Sequence, residues 1–239
     1  AFITSYARHI FNDSFEFKIF KFHDRLTQAI GESAPHVLAL SNYTWNMELG
    51  YKLSAWAKRR NPNLVVIFGG PNFPAEKEEK LKFLQQRPII DFYIESEGEI
   101  GFAELLKKLE AYNFDKAAIK RFQEPVVNCT YLNGNEVIEG GISRIKDVNI
   151  IPSPYLNGIL DEFFELPLAP LIETTRGCPF SCTFCADGLT FKNKVVAFTT
   201  QRVQDELYYM AERIKNVDEI YISDLNFGMY KRDVETAQI

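Results

Sequence analysis

The chain has 239 residues, of which 46% are hydrophobic and 25% are charged, and these proportions exclude a wholly disordered protein. Its 27 basic and 32 acidic residues give a net charge of -5, which does not favour nucleic acid as a ligand. No apolar run is long enough to span a membrane, and the first residues lack the order of a signal peptide. The length allows one large domain or two modest ones.

The first half of the chain alternates short apolar strands with amphipathic helices. Residues 37–40, 64–68 and 92–94 are the predicted strands, and their uniformly apolar character is typical of a parallel sheet covered on both faces. We therefore predict an α/β fold with a doubly wound, Rossmann-like layer, whose ligand binds outside the carboxyl ends of the strands. The candidate ligand-binding residues at those ends are Ser41, Asn42, Gly69, Gly70, Pro71, Glu97, Gly98 and Glu99.

The pattern changes after about residue 122. Residues 130–138 are predicted to form a hairpin, because Asn133-Gly134 is a type I′ turn signal. A second α/β segment begins at residue 170 with a strand, a cysteine-containing loop, a helix and another strand. The prediction therefore has three regions, which are a domain at 1–122, a linker arm at 123–169 and a second domain at 170–239.

Three cysteines, Cys178, Cys182 and Cys185, lie within eight positions in a loop after a predicted strand. This crowding does not suit a disulfide framework and indicates a reduced, cytosolic protein. Soft thiolates at this spacing suit zinc or an iron–sulfur centre. A structural zinc site needs four ligands, and the sequence brings neither a histidine nor Cys129 near the loop. Three ligands on a [4Fe-4S] cluster would leave one iron open for chemistry.

The pattern C-x3-C-x-aromatic-C, preceded by Thr175-Arg176-Gly177, resembles the signature of radical S-adenosylmethionine (radical SAM) enzymes. The resemblance implies that the three cysteines hold a [4Fe-4S] cluster whose open iron binds SAM. The reduced cluster then cleaves SAM to methionine and a 5′-deoxyadenosyl radical. It also implies that Phe184 lies beside the adenine, and that Asp224 and Asn226 help to hold SAM. Two alternatives stay open: Phe184 could pack in a core, and Asp224 could be a turn or cap residue.

Gly69-Gly70-Pro71 after one strand and Glu97-Gly98-Glu99 after the next resemble the cobalamin-binding domain of a large radical SAM subfamily. The resemblance implies a B12-binding domain followed by the start of a radical SAM partial TIM barrel. It implies that the eight strand-end residues hold cobalamin, and it predicts that the chain is a fragment of a longer enzyme. The motif Asp-x-His-x-x-Gly, which supplies a histidine ligand to cobalt in other B12 proteins, is absent from this sequence. If cobalamin binds, its cobalt should therefore lack a histidine ligand. Trp45 is expected to pack rather than to stack on a cofactor.

The resemblance implies a cobalamin-dependent methyltransferase that methylates an unactivated carbon. Its partners would be a small-molecule or peptide substrate and a reducing electron donor. Two alternatives within this class stay open. The reaction could be a ring rearrangement or another reaction that transfers no methyl group, or the protein could be a family member that no longer uses B12. Two other classes also stay open. One is an iron–sulfur electron-transfer or metal-binding module completed by Cys129 or by a partner, and the other is a small-ligand-binding domain. The sequence identifies no catalytic residue beyond the cluster ligands.

Overall fold

The computed structural model describes residues 1–185 and 193–239, with side chains for all of them except Asp13. Contacts divide the chain into two compact units. We call Ile10–Arg144 the sheet unit, and Ala1–His9 with Ile145–Ile239 the cysteine unit. Helix α1 (Phe2–Phe11) begins in the cysteine unit and ends in the sheet unit.

The sheet unit is built on five strands in the order β1-β2-β3-β4-β5. β1, β2 and β3 are parallel, while β3–β4 and β4–β5 are antiparallel. The strands are β1 (Val37–Ser41), β2 (Val65–Gly69), β3 (Phe92–Ile94), β4 (Cys129–Asn133) and β5 (Glu136–Glu139). The helices are α2 (His23–Glu32), α3 (Met47–Arg60), α4 (Lys77–Gln85), α5 (Gly98–Ala111) and α6 (Lys116–Arg121), with a short 3-10 helix at Asn12–Ser14.

The core of the sheet unit explains why its first strands are so apolar. Val65, Val66 and Phe68 of β2 are almost completely buried, and Leu38 of β1 packs in the same cluster as Val66 and Phe68. Helices supply further members of that cluster, including Ala57 of α3. The predicted parallel strands of an α/β layer are therefore confirmed.

The predicted hairpin forms, but it belongs to the sheet. β4 pairs with β5 through Asn133 and Glu136, and it also pairs with β3 through Cys129 and Ile94. Tyr131 is fully buried, so the hairpin contributes to the core. The sheet is mixed rather than wholly parallel, and this unit extends to Arg144 instead of ending at residue 122.

The cysteine unit contains two small pairs of strands. β6 (Leu171–Ile172) runs parallel to β9 (Tyr221–Ile222), and β7 (Thr175–Arg176) runs antiparallel to β8 (Val196–Ala197). The helices are α7 (Thr200–Arg213) and α8 (Lys231–Thr236), with short 3-10 helices at Val148–Ile150 and Asp161–Glu165. A parallel pair joined through a helix is the repeating arrangement of α/β folds.

The first residues of the chain pack in the cysteine unit, which the sequence did not predict. Ser5 Oγ donates to the Pro152 carbonyl at 2.7 Å and accepts from Asn157 Nδ2 at 2.8 Å. The Phe2 ring stacks on Phe198 with centroids 5.6 Å apart. Within the described ranges, no helix combines the length and apolar composition that crossing a membrane requires.

Candidate cofactor sites

The eight strand-end residues of the sheet unit all lie at the carboxyl edge of its parallel strands. The register pairs Ser41 with Gly69, and Gly69 with Ile94, so the three loops that follow these strands begin side by side. Ser41 and Pro71 are exposed, whereas the other six are partly or fully buried. Such an edge is where open α/β sheets bind ligands.

Asn42 fastens the loops at this edge to one another. Its backbone N–H donates to the Gly69 carbonyl at 2.6 Å. Its side-chain Nδ2 donates to the Asn72 carbonyl at 2.8 Å and to the Tyr93 hydroxyl at 2.9 Å. The Tyr93 hydroxyl in turn donates to the Gly70 carbonyl at 2.9 Å. Asn42 is fully buried, so its amide positions the edge instead of reaching into solvent.

Tyr93 is a functional candidate that sequence reasoning missed. Burial raises the pKa of its hydroxyl, which therefore stays a neutral donor at physiological pH. Its ring stacks on Phe73 with centroids 3.8 Å apart. The available signal was a single hydroxyl in an otherwise apolar strand, because a buried tyrosine usually finds a partner for its O–H.

Gly70 is required by the protein backbone itself. Its φ of +128° is rarely adopted by other residues, and a Cβ there would lie 2.7 Å from the Asn42 carbonyl oxygen. A Cβ on Gly69 would lie 3.2 Å from the Ile94 carbonyl oxygen. The absence of a side chain at these two positions therefore lets neighbouring loops and strands approach each other closely.

The Glu97-Gly98-Glu99 segment turns from β3 into α5. The Glu97 carboxylate accepts from the Arg144 guanidinium at 2.8 Å, and the Glu97 carbonyl accepts from Asn128 Nδ2 at 2.9 Å. Gly98 and Glu99 are buried in the first turn of α5. The Glu97 carboxylate therefore pairs within the protein, and the Glu99 carboxylate is buried in it. The segment shapes the edge of the sheet through its backbone.

An exposed aromatic pair lies at the same edge. The rings of Tyr43 and Trp45 stack with centroids 4.6 Å apart, in the loop directly after β1. Trp45 is 79% exposed, contrary to the expectation that it packs. An exposed flat apolar surface beside Ser41 fits a ligand that carries a large planar ring system, as cobalamin does.

The three clustered cysteines lie in a loop that follows β7. None of the three is in a disulfide within the described residues; Cys178 is half-buried, whereas Cys182 and Cys185 are exposed. The Cys185 N–H donates to the Cys182 carbonyl at 3.2 Å, which forms a turn between them. In the described part of the chain, no three such side chains converge on a single metal position. In an iron–sulfur cluster each thiolate binds a different iron, so three thiolates need not converge on one position to bind a cluster.

Phe184 lies between two of these cysteines and is 91% exposed. Phe184 therefore packs in no core formed by the described residues. An apolar ring in solvent among three clustered cysteines suits stacking on a planar ligand. Residues 186–192, which follow Cys185, lie outside the described residues.

Asp224 and Asn226, which follow β9, differ in what they contact. Asp224 accepts from the Thr174 N–H at 2.7 Å and from the hydroxyls of Thr174 and Thr175 at 2.5 and 2.6 Å. Its carboxylate therefore joins the end of β9 to the segment that leads into the cysteine loop. The Asn226 Nδ2 is buried and has no hydrogen-bond partner in the described part of the chain. A buried donor of this kind fits a ligand such as SAM.

Cys129 is a poor candidate for a fourth ligand. It lies in β4, is 1% exposed, and pairs with Ile94 in the sheet. Burial raises the pKa of its thiol, and the charge of Glu95 adds to this effect, so the ligating thiolate is disfavoured.

Thiol labelling is expected to separate Cys129 from the loop cysteines. In the native, metal-free chain, iodoacetamide should modify Cys178, Cys182 and Cys185 at least about tenfold faster than the buried Cys129, because alkylation needs an accessible thiolate. Peptide mass spectrometry over time measures the four rates. In concentrated urea the rates should become similar, and equal rates in the native chain would contradict this assignment.

Comparison with known proteins gives the family. No family model matches the sequence. The cobalamin-dependent radical SAM methyltransferase TokK of Streptomyces tokunonensis is 35% identical over 216 residues, which cover 87% of this chain and 30% of that protein. A 2-(S-pantetheinyl)-carbapenam-3-carboxylate methyltransferase of Streptantibioticus cattleyicolor is 34% identical over 217 residues, which cover 88% and 30%. This chain belongs to the cobalamin-dependent radical SAM family.

The solved structures add the fold. The cobalamin-dependent SAM radical enzyme OxsB, solved with aqua-cobalamin and SAM bound, matches with a TM-score of 0.66 at 19% identity, over 90% of this chain and 29% of that one. At this identity the likeness shows a shared fold. The chain spans about a third of the length of the curated relatives it matches.

Proposed function

We propose that this chain is the cobalamin-binding and cluster-binding part of a radical SAM methyltransferase. The observation that carries the proposal is the loop that presents three clustered cysteines, together with the buried Asn226 Nδ2, which has no hydrogen-bond partner among the described residues. Cys178, Cys182 and Cys185 supply the thiolates for a [4Fe-4S] cluster. The Asn226 amide supplies a hydrogen-bond donor for SAM, and the exposed Phe184 ring supplies a surface for its adenine.

Asp224 has a positioning role in this proposal. Its carboxylate is committed to Thr174 and Thr175, which lead directly into the cysteine loop. It therefore fixes the distance between the loop that carries the thiolates and the loop that carries Asn226. Pre-set spacing of this kind lowers the entropic cost of binding a ligand between two loops.

The sheet unit is the proposed site for cobalamin. Its carboxyl edge presents Ser41, Pro71 and the stacked pair of Tyr43 and Trp45. Asn42 and Tyr93 hold that edge in place through buried hydrogen bonds. The other candidates, Gly69, Gly70, Glu97, Gly98 and Glu99, shape the loops behind this surface.

The bound cofactors would supply the radical and the methyl group, and the protein would orient the carbon that receives it. The relatives' names support methyl transfer, and the carbapenam-carboxylate methyltransferase supports a small-molecule substrate. A reducing electron donor is required to deliver an electron to the cluster. Cysteines that form no disulfide within the described residues support a reducing, cytosolic setting.

Substitution of Asn226 tests the proposed SAM contact. Asn226→Ala should weaken SAM binding to the anaerobically reconstituted chain by about tenfold, the loss typical of one hydrogen bond to a charged ligand. The free energy of unfolding should be unchanged, because no hydrogen bond within the described chain is lost. Equilibrium dialysis with labelled SAM and urea unfolding measure the two effects.

Asn216→Ala is the matched control. Asn216 is exposed in the same unit, and its Nδ2 donates only to the Glu165 carbonyl, at 3.1 Å. That variant should bind SAM as the parent chain does. If Asn226→Ala also binds SAM with unchanged affinity, the amide does not contact SAM and this part of the proposal is wrong.

A further inference from the structure

Three lysines of the sheet unit surround one buried carboxylate. Asp91, which is 6% exposed, accepts from the Val66 N–H at 2.8 Å. Its carboxylate lies 2.7 Å from Lys58 Nζ, 3.3 Å from Lys116 Nζ and 4.0 Å from Lys120 Nζ. We call these four residues the lysine cluster. Asp91 directly precedes β3, so the cluster lies where the parallel strands begin, at the opposite edge from the proposed cobalamin site.

The lysine cluster carries more positive than negative charge. In residues 1–185 and 193–239, Asp91 is the only carboxylate within 4.0 Å of the three ammonium groups. The side chains of Lys58, Lys116 and Lys120 are only 15%, 22% and 25% exposed, so water compensates this charge incompletely. Partly buried charges without a counter-ion are costly. Three ammonium groups and one carboxylate would be balanced by a dianion.

The ammonium groups also retain donors for such an anion. Each has three N–H bonds. Lys58 uses one for Asp91, while Lys116 donates to Asp91 and to the Leu64 carbonyl at 2.7 Å. Lys120 Nζ, at 4.0 Å from Asp91, is beyond hydrogen-bond distance, and it lies 5.5 Å from the Phe92 ring centroid. The partial exposure of all three lysines gives a small ion access to the remaining donors.

We propose that the lysine cluster is a binding site for a phosphate-class dianion, either inorganic phosphate or a small phosphate monoester. The oxygens of the anion accept hydrogen bonds from Lys58, Lys116 and Lys120. Its two negative charges, together with that of Asp91, neutralise the three ammonium groups. Burial lowers the pKa of Lys58 and of Lys120, against the opposing effect of Asp91, and the charge of Lys116 lowers both further. A bound anion removes this repulsion. The site is independent of the proposed function.

Phosphate binding to the chain tests the proposal. Isothermal titration with inorganic phosphate, at an ionic strength held constant with chloride, should show one site, and phosphate should raise the unfolding temperature. Glycerol phosphate in place of inorganic phosphate distinguishes an ester from the free ion. Lys120→Met should weaken binding by about tenfold or more, because a charged donor is lost. Lys82→Met is the control, since Lys82 is exposed and pairs with Glu79 on α4.

Asp91→Asn provides a second variant with the opposite expected effect. The amide oxygen of asparagine can still accept from the Val66 N–H, while the cluster loses its internal counter-ion. Phosphate should therefore bind this variant more tightly than the parent chain. If phosphate has no greater effect than chloride on the parent chain, or if Lys120→Met binds it as Lys82→Met does, the proposal is wrong.

Discussion

Gly70→Ala is expected to destabilise the sheet unit by about 3 kcal/mol, from backbone strain and a steric clash together. The φ of Gly70 is +128°, and the added Cβ would lie 2.7 Å from the Asn42 carbonyl oxygen. Moving Asn42 away would break its bonds to Asn72 and Tyr93. Urea unfolding monitored by circular dichroism measures the change. Cobalamin binding to the folded variant should also weaken, because the proposed site is on these loops.

Gly134→Ala separates the cost of backbone strain at a positive φ from the cost of a steric clash. Gly134 also has a positive φ, +60°, but no atom lies within 4 Å of a Cβ placed there. Its substitution should cost about 1 kcal/mol, which is the conformational cost alone. If the two alanine variants lose equal stability, the packing of Gly70 against Asn42 does not matter to the fold.

Asp224→Ala is expected to cost the cysteine unit about 3 kcal/mol or more. The substitution removes the acceptor of three hydrogen bonds and leaves the N–H and hydroxyl of the fully buried Thr174 without it. Since Thr174 and Thr175 precede the cysteine loop, iron incorporation on anaerobic reconstitution should fall as well. Thermal unfolding and iron analysis measure the two effects.

Asp224→Asn is the matched variant for this prediction. Asparagine keeps one oxygen that can accept from Thr174, so we expect it to recover a substantial part of the stability that alanine loses. An alanine variant as stable as the parent chain would show that this carboxylate does not hold the two loops together.

Local patterns in the sequence were sufficient to predict part of this structure. The apolar runs of β1, β2 and β3 indicated parallel strands, because strands buried on both faces need apolar side chains throughout. Asn133-Gly134 indicated the hairpin turn from two residues alone. The place of the hairpin in the sheet was missed, because Ile94 and Cys129 are paired by packing between distant segments that no local pattern records.

The roles of individual site residues depended on side-chain direction. Ser41 and Asn42 are neighbours at the end of β1, yet Ser41 is exposed and Asn42 is fully buried. Asp224 and Asn226 were equal candidates for SAM, but the first is bonded to Thr174 and the second keeps a donor available. Polar residue types indicate that the loop after a strand is functional. Only tertiary contacts distinguish the residues that position the loop from those that contact a ligand.

The binding of SAM to an open iron is the central claim, and electron paramagnetic resonance tests it most directly. The chain would be reconstituted anaerobically with iron and sulfide, reduced, and measured with and without SAM. Three cysteine ligands predict a [4Fe-4S] signal that shifts when SAM is added, and a signal lost in Cys182→Ala. A cluster signal that SAM leaves unchanged would contradict the account.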